Sequence, residues 1–453
     1  IGEIRKEQLK SREYAGYRAG DVIGQSGVEL RLEADLRGRA GGRNVVVDVA
    51  GRVVELLDER EPEPGGTVML TLDRDLQREA EAGFLPDVLG EPARMGALVA
   101  LDPRTGDVLA LVSKPGFDPN DFAGGIDSET WKALITDEWR PLQNRAISGN
   151  YPPGSAYKPV VAAAALADGL VTPETRKFCP GHFRYGRRTY RCWRRAGHGW
   201  VGLHDALKMS CDVYFYELGR DLGIDRIADF ARAFRFGRRS GIALPNEKSG
   251  LVPTKKWKER RFGEPWMGGE TISASIGQGF NLATPMQLAM AYAALANDGT
   301  LVEPRIVLRR ETDEGVIEAG EPKVLGRLPV APEHLEVIRR GLEAVVSEQR
   351  GTGGRSRVPG VRVAGKTGTA QVVRMKHTED LEEDEIPVKF RDHAWFVAFA
   401  PVEAPEIVVS VLVEHGGHGG SAAAPIAQRV LARYFEKQRE RSGEALAALE
   451  TEP

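Results

Sequence analysis

Three cysteines are all that 453 residues contain, and an odd number cannot be fully paired as disulfides. No Cys-x-x-Cys pair is present. Net charge is also nearly absent, at a formal -3, which argues against a broad polyanion-binding surface and against nucleic acid as a partner. No apolar run reaches the length of about 20 residues needed to span a bilayer, and no signal peptide is recognisable. Internal repeats are missing as well. What remains is ordinary: 42% hydrophobic and 28% charged residues suffice to bury a core and exclude a disordered chain. The length predicts a large domain with a smaller one appended.

Residues 1–60 carry short alternating segments, VELRLEADL (28–36) and NVVVDVAGRVVELL (44–57), which predict an extended, strand-rich module. EPEPGG (61–66) reads as a linker. The main domain is expected over 67–436, opening with a strand and a capped helix in TVMLTLDRDLQREAEAGF, and a tail over 437–453. MGALVALDPRTGDVLALVS (95–113) predicts a hairpin turning at Pro103–Gly106. A helical middle follows, then strand-like runs VRVAG, AWFVAFAPV and EIVVSVLVEH, and a closing helix APIAQRVLARYFEKQ. Strands at both ends of a helical centre predict an α+β fold, one antiparallel sheet assembled from both chain ends with helices packed on it.

Three ordered motifs carry chemistry. In YPPGSAYKPV (151–160), Ser155 and Lys158 stand three residues apart at the start of an apolar helix, so their side chains share a face. A serine needs a neighbouring base, and a partly desolvated lysine can serve; the helix N-terminus adds N–H groups where an oxyanion would form. Ser210 and Asp212 lie in KMSCDVYFY (208–216). Lys366, Thr367, Gly368 and Thr369 lie in AGKTGTAQVV (364–373), where glycines let a substrate backbone lie close and hydroxyls and N–H groups suit a carboxylate. A rival match is GVRVAGKT (360–367), which fits the phosphate-loop pattern G-x-x-x-x-G-K-[ST] of a nucleotide-binding protein. That loop must follow a strand and open a helix, whereas this segment alternates like a strand throughout.

The ordered S-x-x-K, S-x-D and K-T-G set resembles the active site of penicillin-recognising serine acyltransferases. The flanks LDPRTGDVLALVSKPGFDPN (101–120), NRAISGNYPPGSAYKP (144–159), SIGQGFNLATPMQLAMAYAALANDG (275–299) and RDHAWFVAFAP (391–401) resemble class B penicillin-binding proteins, the monofunctional D,D-transpeptidases, and within them the elongation-specific type called penicillin-binding protein 2. The resemblance implies the transpeptidase fold shared with serine β-lactamases, an antiparallel sheet with a helical subdomain. Residues 1–60 would then be a remnant of the non-catalytic pedestal. It further implies that Ser155 is acylated, Lys158 is its base, and Ser210 relays the proton of the leaving amine. Asp212, where many relatives have asparagine, would hold Lys158. Lys366, Thr367 and Thr369 would bind a carboxylate, and the N–H groups of Ser155 and Thr369 would form the oxyanion hole. Peptidoglycan stem peptides, β-lactams and a SEDS glycan polymerase of the RodA type are the implied partners. The implied location is the outer face of the bacterial plasma membrane, with an anchor helix upstream of Ile1. An inactive scaffold of the same fold is the other alternative, disfavoured by three intact motifs.

All three cysteines fall between the first and second motifs. Cys179, Cys192, His198 and Cys211 have the ligand number and softness of a structural Zn²⁺ site. A disulfide plus one thiol, or three unrelated core cysteines, are the other readings. His182 and His204 could replace His198. His415 and His418 in HGGH read as part of a glycine-rich loop.

Overall fold

The structure, a computed structural model, describes residues 1–86, 95–312, 315–318, 320–372 and 386–451. Its central sheet has five antiparallel strands: β1 (Met95–Leu101), β2 (Val108–Lys114), β3 (Ala364–Ala370), β4 (His393–Ala400) and β5 (Ile407–Glu414). They run in the order β3-β4-β5-β1-β2, so the first and last parts of the chain interleave as expected. The β1–β2 hairpin turns where the sequence places it.

Side chains alternate across a strand, and here both faces are covered. On β4, Trp395, Val397 and Phe399 join one apolar cluster while Ala394, Phe396 and Ala398 join another. Burial on both sides explains why AWFVAFA reads as a continuous apolar run rather than a polar alternation. The helices Arg74–Ala82 and Ala424–Thr451 cover one face. A helical lobe built around Lys158–Ala167 and Pro285–Ala296 covers the other. The Pro285–Ala296 helix starts with a reciprocal Thr284–Gln287 cap and a proline that needs no N–H donor, and it is buried along its whole length.

Three expectations need correction. VELRLEADL is not a strand: Gly27–Arg31 and Glu33–Leu36 are short helices. The Glu33 carboxylate accepts the Gly24 N–H at 2.7 Å, and Asp35 pairs with Arg310 at 3.1 Å. Val28 packs on the main core, so long-range contacts override the alternating pattern. Only Gly42–Val47 and Val53–Arg60 of this module pair as a long hairpin. β3 starts at Ala364 and leaves the VRV of VRVAG outside the strand. The three helices read in the middle of the chain are present, and between the first two, residues 177–201 form two small ribbons, Lys177–Cys179 with Gly199–Val201 and His182–Tyr185 with Arg188–Arg191. Finally, the closing helix runs on to Thr451 where a tail was expected. Lys437, the first tail residue, bonds Asp73 at 2.7 Å and Asp75 at 2.9 Å, which ties that helix to the start of the main domain. Among the described residues no helix is long and apolar enough to cross a membrane.

Candidate active site and thiol cluster

Ser155 lies half-buried on the single 3-10 turn Gly154–Tyr157, which runs directly into the helix that Lys158 begins. Gly154 has φ +53 and sits so near β3 that a Cβ there would meet the Thr369 oxygen at 2.3 Å. On the strand side, a Cβ on Gly368 would meet the Pro153 oxygen at 3.0 Å and the Ala156 nitrogen at 3.2 Å. Two residues without side chains therefore let the nucleophile turn and the K-T-G strand lie backbone to backbone.

Lys158 is fully buried at the foot of this turn. Its Nζ donates to Asp212 Oδ1 at 2.7 Å, the Ser210 carbonyl at 2.9 Å and Ser210 Oγ at 3.2 Å. Ser210 holds the left-handed conformation, φ +54, which turns the chain from the Leu203–Lys208 helix into the Asp212–Leu222 helix. Asp212 is the first residue of the latter, where the helix dipole favours negative charge. Burial nonetheless pushes its carboxyl above the usual range, against the opposing pull of Lys158. Lys366 is also fully buried, and among the described residues its amine reaches only the Thr367 carbonyl, at 3.3 Å. Burial first, and then the Lys158 charge, push it well below the ordinary lysine value. Thr367 Oγ1 lies 2.7 Å from Thr352 Oγ1. The turn that carries Ser155 packs against β3, and Lys158 bonds the Ser210–Asp212 turn, so three distant stretches of the chain meet here.

The phosphate-loop reading fails on this geometry. Gly365, Lys366 and Thr367 are paired in the middle of an antiparallel strand, opposite Ala398, Val397 and Phe396, and the strand runs on to Ala370 where a phosphate loop would open a helix.

The four cysteine and histidine ligand atoms of Cys179, Cys192, His198 and Cys211 lie within 4.8 Å of one another. His198 Nδ1 stands 3.6 Å from Cys179 Sγ and 3.5 Å from Cys192 Sγ. Roughly 3.5–3.8 Å separates neighbouring ligand atoms around a tetrahedral zinc, so the donor set fits that ion. No disulfide links the thiols, all three of which are buried. S–H donation from Cys192 and Cys211 pulls Cys179 down to about 3, and the two neighbouring sulfurs push Cys211 up. The thiol of Cys211, the one pushed up, would lose its proton only against a cation. His204 instead faces Glu348 at 3.3 Å, and His182 is exposed on the ribbon, so neither joins the cluster. His415 donates its backbone N–H to His393 Nδ1 at 3.0 Å, and neither it nor His418 joins a metal-ligating group among the described residues.

Sequence reasoning missed three participants. Gln278 Nε2 donates to the Thr369 carbonyl at 2.8 Å, steadying the strand end; its SIGQGF segment stood out only as a flank. Thr352 has no sequence signal. Trp193 donates its backbone N–H to Asp212 Oδ2 at 2.9 Å, and adjacency to Cys192 was the one available hint.

A five-stranded antiparallel sheet, a helical lobe and a buried lysine bonded to a serine and an aspartate are the architecture expected of the penicillin-recognising serine acyltransferases. Residues 96–432 match the penicillin binding protein transpeptidase domain, and residues 1–70 match the penicillin-binding protein dimerisation domain. The chain belongs to the penicillin-binding protein transpeptidase family, as a relative of the penicillin-binding protein 2 (MrdA) group. It is 37% identical to the peptidoglycan D,D-transpeptidase MrdA of Haemophilus influenzae, covering 95% of this chain and 66% of that protein. With MrdA of Acinetobacter baumannii the identity is 40%, over 93% of this chain and 62% of the relative. The chain thus spans slightly under two thirds of these relatives. Among solved structures it is similar to Pseudomonas aeruginosa PBP2 in complex with WCK 5153, at TM-score 0.79 and 36% identity, covering 96% of this chain and 86% of that one. The Helicobacter pylori PBP2–MreC complex matches at TM-score 0.83 and 30% identity, with 96% and 76% covered.

Proposed function

We propose that this chain is the catalytic part of a peptidoglycan D,D-transpeptidase of cell elongation. The observation that carries the proposal is the position of Lys158: buried behind Ser155 and bonded at once to Ser210 and Asp212. In this reading Ser155 Oγ attacks the carbonyl carbon of the penultimate D-Ala of a stem peptide and its proton passes to Lys158, which must enter the step as the neutral amine. The oxyanion sits between the N–H groups of Ser155 and Thr369. The C–N bond to the terminal D-Ala breaks, and Ser210 hands the proton to the departing amine. An amine of a neighbouring strand then attacks the ester, gives up its proton by the same route, and Ser155 is released. Lys366, Thr367 and Thr369 receive the substrate carboxylate. A carboxylate there brings the negative charge that a buried lysine lacks, which would restore the Lys366 ammonium.

β-Lactams enter as mimics whose cleaved amide stays attached. The chain shows no motif for a dedicated deacylating glutamate, so the adduct is expected to persist. The test is covalent labelling by a fluorescent penicillin. The reading predicts one adduct, on Ser155, lost in Ser155→Ala; an unlabelled parent protein would sink it and favour an inactive scaffold.

Cys179, Cys192, His198 and Cys211 would hold one structural Zn²⁺. Bound there, the ion supplies cross-linking rather than chemistry: it ties residues 177–201 to Cys211, between Ser210 and Asp212. Native mass spectrometry with a thiol count after denaturation is expected to give one zinc and three free thiols. A metal-free mass with one free thiol would mean a disulfide instead. Residues 1–60 are assigned to the pedestal, 61–66 to a linker and 67–436 to the transpeptidase domain. Attachment to the outer face of the plasma membrane and a SEDS polymerase partner of the RodA type complete the proposal. It is supported by the likeness to the PBP2–MreC complex and to the structure titled "Structural coordination of polymerization and crosslinking by a peptidoglycan synthase complex", at 35% identity and TM-score 0.80.

A further inference from the structure

Trp193 is 59% exposed, an unusual place for a tryptophan that makes three hydrogen bonds. Its indole N–H points at two carbonyls, Met209 at 3.0 Å and Ser210 at 3.1 Å. Its backbone N–H takes Asp212 Oδ2 at 2.9 Å. The Ser210 carbonyl and the other Asp212 oxygen are the atoms that Lys158 uses. Trp193 and Lys158 therefore grip the same turn from opposite sides, one oxygen of the carboxylate each.

The turn needs such a grip. Ser210 is left-handed, a conformation that costs a residue with a Cβ about 1–2 kcal/mol and persists only where its surroundings enforce it. Should it relax, Ser210 Oγ and Asp212 Oδ1 both leave Lys158. Trp193 is itself fixed from behind: Cys192 belongs to the thiol cluster and donates its N–H to the Gly181 carbonyl at 2.8 Å. The indole also lies edge-on to His198, with ring centroids 5.5 Å apart.

We infer that Trp193 is a positioning residue for acylation, a strut that carries the rigidity of the Cys/His cluster to Ser210 and Asp212 through its backbone and indole N–H groups. The inference rests on the acyl-transfer reading of Ser155 and Lys158. It differs from a general packing role, because the exposed ring has little core to support.

Trp193→Phe keeps the ring and the backbone N–H and deletes only the indole donor; Trp193→Ala removes the ring as well. Stopped-flow acylation by a fluorescent penicillin separates Kd of the pre-covalent complex from the acylation rate constant. For Trp193→Phe the rate constant is expected to fall about five- to tenfold, the worth of one hydrogen bond to a buried acceptor. Trp193→Ala is expected to fall at least as far. Kd, metal content and thiol count should match the parent protein, and Tm should fall by no more than about 2–4 °C. A rate constant within about twofold of the parent in Trp193→Phe would overturn the inference. So would a fall matched by lost metal or by a Tm lowered by more than about 5 °C, or a change confined to Kd. An unlabelled parent would instead refute the functional reading itself.

Discussion

Replacing Gly154 by alanine tests whether the catalytic centre depends on the close approach of the nucleophile turn to β3. Two costs act there. Alanine at φ +53 loses about 1–2 kcal/mol to left-handed backbone strain. Its Cβ would also lie 2.3 Å from the Thr369 oxygen, against a comfortable C···O approach of about 3.3 Å, so turn and strand must part by roughly 1 Å. Misplacement of that size costs on the order of 10²-fold in rate when it separates a nucleophile from its oxyanion donors. Gly169 is the control: its φ is +66 with nothing within 4 Å of an added Cβ. Gly169→Ala should therefore show the strain without the separation. Urea unfolding and the second-order acylation constant for a fluorescent penicillin are the two assays. Both variants are expected to lose about 1–2 kcal/mol of stability, Gly154→Ala somewhat more. Only Gly154→Ala should lose acylation, by about 10²-fold. Acylation within about threefold of the parent in Gly154→Ala, or an equal loss in Gly169→Ala, would show that the approach to β3 does not set the rate.

Two further perturbations probe what holds the Ser155 loop. Arg145 and Glu414 form a bridge at 3.0 Å with side chains only 4% and 10% exposed, and Tyr151, four residues before Ser155, donates its hydroxyl to the same carboxylate. Arg145→Ala leaves that carboxylate without its cation and should cost about 3–5 kcal/mol in urea unfolding, partly recovered by adding Glu414→Gln; a loss below about 1 kcal/mol would show the bridge to be dispensable. Next to it, burial first and then His415 push His393 down from 6.5 to about 4. The unfolded chain then binds the extra proton between those values, so this contribution is complete above pH 6.5 and is lost as pH falls toward 4. It amounts to about 3 kcal/mol in all. His393→Asn should flatten the stability–pH curve over that interval, and an unchanged slope would place the titration elsewhere.

Local spacing was enough for much of this protein. Ser155 and Lys158 lie on one continuous helical stretch, as their spacing of three suggests; β1 and β2 pair because a short turn leaves antiparallel strands little choice. The Cys/His set was readable as a list of soft ligands, though its convergence within 4.8 Å was not. Other features depend on contacts between distant residues. Val28–Leu36 alternates like a strand but folds as helices because Glu33 and Asp35 find partners in Gly24 and Arg310. Lys437 keeps the last helix going by reaching back to Asp73. Trp193 reads as one more aromatic in a basic stretch until its N–H groups meet Asp212 and Ser210. Sequence alone determined which residues are chemically able to act, since nucleophile, base and ligand are properties of side chains. Only the tertiary structure decided which of them touch. The bond from Lys158 to Asp212 joins two segments that nothing local draws together, and the burial of the sheet and helical lobe around them sets it.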